Sequence, residues 1–174
     1  MPPEALVTAL QPWADVYAES LWLPLALLSV HLLSLVAAAG VALAVDRRVL
    51  RVSAPQTSVT SPPPSALLDE LADAHPLVLR ALTVTLLSGA AMATADLGTY
   101  ASSTVFWSKM GLVVLLLANG HRMRRAERQL GAVSPAAATP AEAEPALGSL
   151  RAAAWRSVLL WSGIIVLGVV VSNQ

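Results

Sequence analysis

The sequence has no cysteine, a single phenylalanine, two tyrosines and only 13% charged residues. Without cysteine there are no disulfides, thiolate metal sites or cysteine nucleophiles, although this points to no particular compartment. Soluble domains carry about 25% charged residues. Roughly half of that charge is therefore missing, and it is missing in blocks. A glycine-rich phosphate loop, an HExxH pair, a GxSxG elbow and clustered carboxylates are also lacking, so the motifs specify no reaction. The start, MPPEALVTALQPWADVYAES, has no basic segment and carries Glu4, Asp15 and Glu19. It does not read as a cleaved signal peptide, and the first apolar block is expected to stay as a helix.

What the sequence does hold is apolar: 56% of its 174 residues are hydrophobic. A spanning helix needs about 20 mostly apolar residues. Four blocks meet or approach that length, at residues 21–45, 77–95, 103–120 and 153–172. The expected fold is all-α, an integral membrane four-helix bundle. Residues 1–20 form an extracytoplasmic lead-in, with Leu6, Leu10, Trp13 and Tyr17 at helical spacing. They read either as a short interfacial amphipathic helix or as an ordinary lead-in.

The first block is free of formal charge, with Pro24 in its first turn, where a missing N–H costs little. Trp22 marks one headgroup level and Asp46-Arg47-Arg48 the other. Residues 46–76 are expected to form a cytoplasmic, proline-broken loop holding a short helix at 66–75. The second block carries Arg80 one turn in, able to snorkel, and the small-residue run SGAAMATA at 88–95. Such residues let membrane helices approach closely. The link at 96–102 is short enough to make blocks two and three antiparallel neighbours. Block three opens with Trp107 and with Lys109, which is expected to reach the interface, and it stops at His121-Arg122-Met123-Arg124-Arg125. The stretch 121–152 is a second cytoplasmic loop, basic and then rich in alanine and proline. Its GAVSPAAATPAEAEPALG segment is too poor in large apolar groups to build a core.

If four blocks alternate, ten of the eleven basic residues fall on one side and only Lys109 on the other. The basic side is then the cytoplasm, with both termini outside, in the cytoplasmic membrane. Asp46, Arg47 and Arg48 read as a boundary ion pair that sets the depth of the first helix. Arg122, Arg124 and Arg125 suit anionic lipid headgroups. Topology already accounts for these charges, so no nucleic-acid partner is implied. Asn119 has Asp46 or a helix terminus as prospective partners.

His31 stands out, lying well inside a charge-free span where ionisable groups face the bundle interior or a functional path. It shares a helical face with Ser34, Ala38 and Ala42. Three readings follow: a packed, hydrogen-bonded interior histidine, a haem or metal ligand, or a proton- or quinone-linked group. His75 and His121 lie at the cytoplasmic boundary, too far along to share an iron with His31. They read as interfacial residues or as a pair with each other. Met110 matches His31 in depth, so a haem b held by His31 and Met110 is the candidate cofactor site, set against methionine as an apolar filler.

The segments VHLLSLVAAAGVALAVDRRVL, GTYASSTVFWSKMGLVVLLLANGHRMRR and WRSVLLWSGIIVLG resemble those of a family of small, uncharacterised bacterial four-helix membrane proteins. That family is distantly similar to the CopD-type copper-resistance membrane proteins. The resemblance implies signature positions at His31, Gly40, Asp46, Arg48, Phe106, Lys109, Asn119 and Trp161. It implies a membrane fold but no established activity, and Gly168 here lacks the following arginine that members often carry. The leading expectation is a non-catalytic membrane subunit or scaffold, with lipids, other membrane subunits or a second copy as partners. A haem- or metal-binding electron-transfer or metal-handling protein using His31 is the main alternative, and a small transporter component the next.

Overall fold

The computed structural model describes residues 4–52, 64–132 and 140–171. These form six helices: α1 (Glu4–Glu19), α2 (Trp22–Val52), α3 (Pro64–Ala95), α4 (Leu97–Ser102), α5 (Thr104–Ala132) and α6 (Pro140–Val171). No strand occurs among the described residues. Three stretches, Trp22–Arg51, Leu67–Ala95 and Leu147–Val171, are long and apolar enough to cross a membrane. In lipid every backbone polar group must find its partner inside the chain, which a helix achieves by itself. The chain is thus all-helical and has the make-up of a membrane protein. α5 is not among those three stretches: Lys109 precedes its apolar run, and Asn119 and His121 follow closely.

Local chemistry sets the helix starts. The Ser20 hydroxyl accepts a hydrogen bond from Leu23 N at 3.1 Å, just where Pro24 withholds a donor. Asp96 caps α4 by accepting from Thr99 N, and Ser103 caps α5 by accepting from Phe106 N at 3.2 Å. The segment 96–102, expected as a loop, is therefore mostly a single short helix. Inside the long helices, hydroxyls such as Thr83, Thr94 and Ser162 donate to the carbonyl four residues back, which satisfies them without any outside partner.

Two clusters of buried side chains join the long helices. One gathers Ala38 and Ala39 of α2, Leu82 of α3, Val113 and Leu116 of α5, and Trp161 and Ile164 of α6. The other gathers Val49, Leu71, Met123, Leu150 and Ala154, again from all four. Residue numbers rise between the clusters in α2 and α5 and fall in α3 and α6, so successive long helices run in opposite directions. α2 lies along α3, α5 along α6, and α2 also touches α6, whereas α3 and α5 meet over only a short stretch. Many large apolar side chains face outward, Leu33 at 72% and Leu159 at 67% exposure among them. Such surfaces suit hydrocarbon rather than water.

Two expectations need correction. The stretch 66–75 is not a separate helix but the first part of α3, which continues through Pro76. Pro76 removes the donor that would serve the Ala72 carbonyl. The helix persists because Leu71 before the proline and Leu82 after it are both buried against the neighbouring helices. Likewise, α6 begins inside the alanine/proline segment, at Pro140, and Leu147 packs against the Val49 cluster. The remaining loop residues, 53–63 and 133–139, lie outside the described residues. α1 half-buries Leu10, Trp13, Ala14 and Tyr17 and exposes the rest, and Trp13 Nε1 donates to Ala91 O near the end of α3 at 3.0 Å.

Candidate functional site

Two polar groups of residues interrupt the apolar packing, one toward each end of the long helices. At the first, His31 of α2 reaches α3. Its Nδ1 lies 2.9 Å from Thr85 O and 3.2 Å from Ser88 Oγ. A carbonyl can only accept, so Nδ1 carries the proton and Nε2 is the basic nitrogen. Ser34 Oγ lies 2.8 Å from Thr85 Oγ1, closing a network between the two helices. The ring is seated on Gly89, where an added Cβ would come within 3.0 Å of His31 Cε1. The small-residue run at 88–95 thus begins with the seat of the histidine.

Met110, the expected companion of His31, packs against the cluster around Ala38, Val113 and Trp161. Lys109 is half-buried, and its ammonium lies beside Gly168: a Cβ there would sit 3.4 Å from Nζ. Gly168 belongs to the last turn of α6, where the helix dipole favours a cation. Among the described residues, no group of three or more histidines and carboxylates is arranged to hold a metal ion.

At the other end, a cavity of about 260 Å³ lies among α2, α3, α5 and α6, walled mostly by α3 and α5. Asp46, only 2% exposed, lines it and takes a hydrogen bond from Ser157 of α6. Its Oδ2 is buried without a hydrogen-bond partner. Asn119, 4% exposed, donates from Nδ2 to Ala153 O at 2.8 Å, and its Oδ1 is likewise without a partner. His75, His121 and Arg124 also line the cavity. Val78, Leu82, Leu116 and Trp161 supply much of its apolar wall.

The anchor expected from Asp46, Arg47 and Arg48 is not formed as a local ion pair. Arg48 pairs with Glu70 across to α3, Arg47 is exposed, and Asp46 turns inward to Ser157. The reason is helical geometry: neighbours in sequence point about 100° apart, so residues one or two apart do not face each other. Asn119 bonds the Ala153 carbonyl in the middle of α6, which is neither Asp46 nor a helix terminus. His75 contacts Leu71 O at 2.9 Å and lies 3.6 Å from Glu127 Oε1. Burial raises the Glu127 carboxyl above its ordinary value, against the lowering influence of His75, Arg124 and Arg128. Arg122 and Arg125 flank a second, shallower cleft beside α6.

Ser157 and Thr85 carry no signal as site residues in the sequence. Ser157 is one serine in an apolar helix, and only the pairing of α2 with α6 shows what it faces. Comparison with protein-family models, with curated proteins and with solved structures finds no match to this chain.

Proposed function

We propose that this chain is a non-catalytic, multi-pass subunit or scaffold of a bacterial cytoplasmic-membrane complex, with α2, α3, α5 and α6 as four spans. The observation that carries this reading is the setting of His31, the one ionisable side chain deep in α2. Its Nδ1 is bonded to Thr85 O and its ring is seated on Gly89, so the side chain serves the packing of α2 on α3. The four-span arrangement is supported by the two clusters, to which α5 contributes as fully as the other three helices. It also gathers ten of the eleven basic residues at one membrane face. Exposed leucines and valines on every long helix leave ample surface for lipid and for a neighbouring subunit.

The test is purification of the tagged full chain from native membranes under mild detergent. Another membrane protein at fixed stoichiometry supports the subunit reading, and a lone monomer carrying a chromophore overturns it.

One observation favours a second reading, a haem- or metal-binding protein. Donation from Nδ1 to a backbone carbonyl orients Nε2 and raises its basicity, as in histidines that ligate metals. A Soret band in the purified protein that vanishes in His31→Ala selects this second reading. A colourless, correctly folded protein that also holds no metal by elemental analysis rejects it.

A further inference from the structure

We infer that the cavity at the Asp46 end is a binding site for the headgroup of a phospholipid that ends in a primary ammonium. The first ground is the pair of buried acceptors. Asp46 Oδ2 and Asn119 Oδ1 both belong to side chains more than nine-tenths buried, both lack a hydrogen-bond partner, and both residues line the cavity. Buried acceptors of this kind demand a donor, and a carboxylate oxygen demands one carrying positive charge. An ammonium group brings three N–H donors and a positive charge from one atom.

The second ground is the opposite charge on the same walls. Arg124 and His121 line the cavity alongside Asp46. A zwitterionic headgroup places a phosphate a few bonds from its ammonium, so Arg124 meets the anion while Asp46 meets the cation. Arginine forks suit phosphate oxygens in this role.

The third ground is position. Asp46 ends the apolar block of α2, Asn119 and His121 end that of α5, His75 precedes that of α3, and Ser157 lies near the start of that of α6. The cavity thus sits at headgroup level whichever way the protein faces. It lies between α3 and α5, which touch each other little, and its lining includes Leu79 and Leu117, about 40% exposed. Those two leucines offer a sideways path for acyl chains to remain in the bilayer. A volume of about 260 Å³ falls below the roughly 300–1,000 Å³ of pockets that enclose drug-sized molecules, which suits a headgroup and excludes a whole lipid.

This inference rests on the membrane placement of the chain but not on the subunit reading, and it survives if no partner protein is found. Its test is native mass spectrometry of the full chain reconstituted in equal parts phosphatidylethanolamine, phosphatidylcholine and phosphatidylglycerol. Phosphatidylcholine has no N–H donor and phosphatidylglycerol has no cation. Retention of one phosphatidylethanolamine per chain, about tenfold over the other two, is expected from a charge-assisted hydrogen bond. Asp46→Asn abolishes that preference, and so does Ala74→Leu, which fills the cavity and leaves the carboxylate in place. Circular dichroism checks that each variant folds; if Asp46→Asn does not, Ala74→Leu decides. Equal retention of the three lipids, or a preference untouched by the folded variants, overturns the inference. So does displacement of the lipid by an equal concentration of soluble phosphoethanolamine, which assigns the cavity to a water-borne ligand.

Discussion

At the scale of single residues, stiffness decides what a substitution does. Gly89 and Gly163 both receive a side chain from a neighbouring helix. A Cβ at Gly89 would meet the His31 ring at 3.0 Å, and one at Gly163 would meet the Leu112 Cδ1 methyl at 2.9 Å. The distances are alike, but the imidazole is held by its Nδ1–H against Thr85 O and Ser88 Oγ, while the leucine methyl swings on its own rotamers. Gly89→Ala is therefore expected to destabilise the protein by about 1–3 kcal/mol, the range for overpacking. Gly163→Ala should stay below about 1 kcal/mol. Thermal melts in detergent measure both. The loss at Gly89 should shrink in a His31→Ala background, and a loss that persists there would remove the histidine from the explanation.

Glu127 allows a pH test at the same scale. Burial raises its folded value above the ordinary carboxylate value of 4.5, so the native state binds the proton more tightly than the unfolded chain. Its favourable contribution is complete below that ordinary value and is lost as pH rises through the raised one. Glu127→Gln should thus melt higher than wild type at pH 7 to 8. The gap should close as pH falls toward 4.5; a gap that widens on acidification would reverse the assigned sign.

Among the elements, α1 shows how little can fasten a helix. It buries no residue fully, and its Trp13 bond to Ala91 O is its one side-chain hydrogen bond to α3 among the described residues. Replacing Trp13 with phenylalanine keeps a ring and removes the donor, at a cost of about 1 kcal/mol. Hydrogen exchange in α1 is expected to accelerate about fivefold while α3 keeps its protection. α1 was legible as an amphipathic segment because its apolar residues recur at helical spacing. Its docking was not legible, because the acceptor is a backbone carbonyl 78 residues away. The unbroken run of α3 through Pro76 was hidden for a related reason. Proline disfavours a helix locally, and only packing on both sides of it shows that the local preference loses.

For the whole molecule, the arrangement of charge makes the sharpest prediction. Reporter fusions following Arg51 and Arg124 should fall on the same, cytoplasmic face, and fusions at the two termini on the opposite one. Opposite faces for Arg51 and Arg124 would remove α5 from the set of spans. Helix association here cannot draw on water exclusion, because lipid tails are as apolar as the side chains. Close contact over Ala38, Ala39, Ala153, Ala154 and the glycine seats, with the Asn119 bond to Ala153 O, takes its place.

The sequence by itself determined that this is a helical membrane protein and where its apolar stretches begin and end. Both follow from local composition: the transfer of a segment into lipid depends on its own side chains, and the charges that stop it lie beside it. Tertiary structure alone decided that Asp46 meets Ser157 rather than its neighbouring arginines, that His31 meets Thr85, and that a cavity remains at the Asp46 end. Such meetings depend on how each helix is rotated and how far it slides along the next. Runs of leucine, alanine and valine look nearly the same at every rotation, so only the interlocking of particular glycines, rings and hydroxyls selects one.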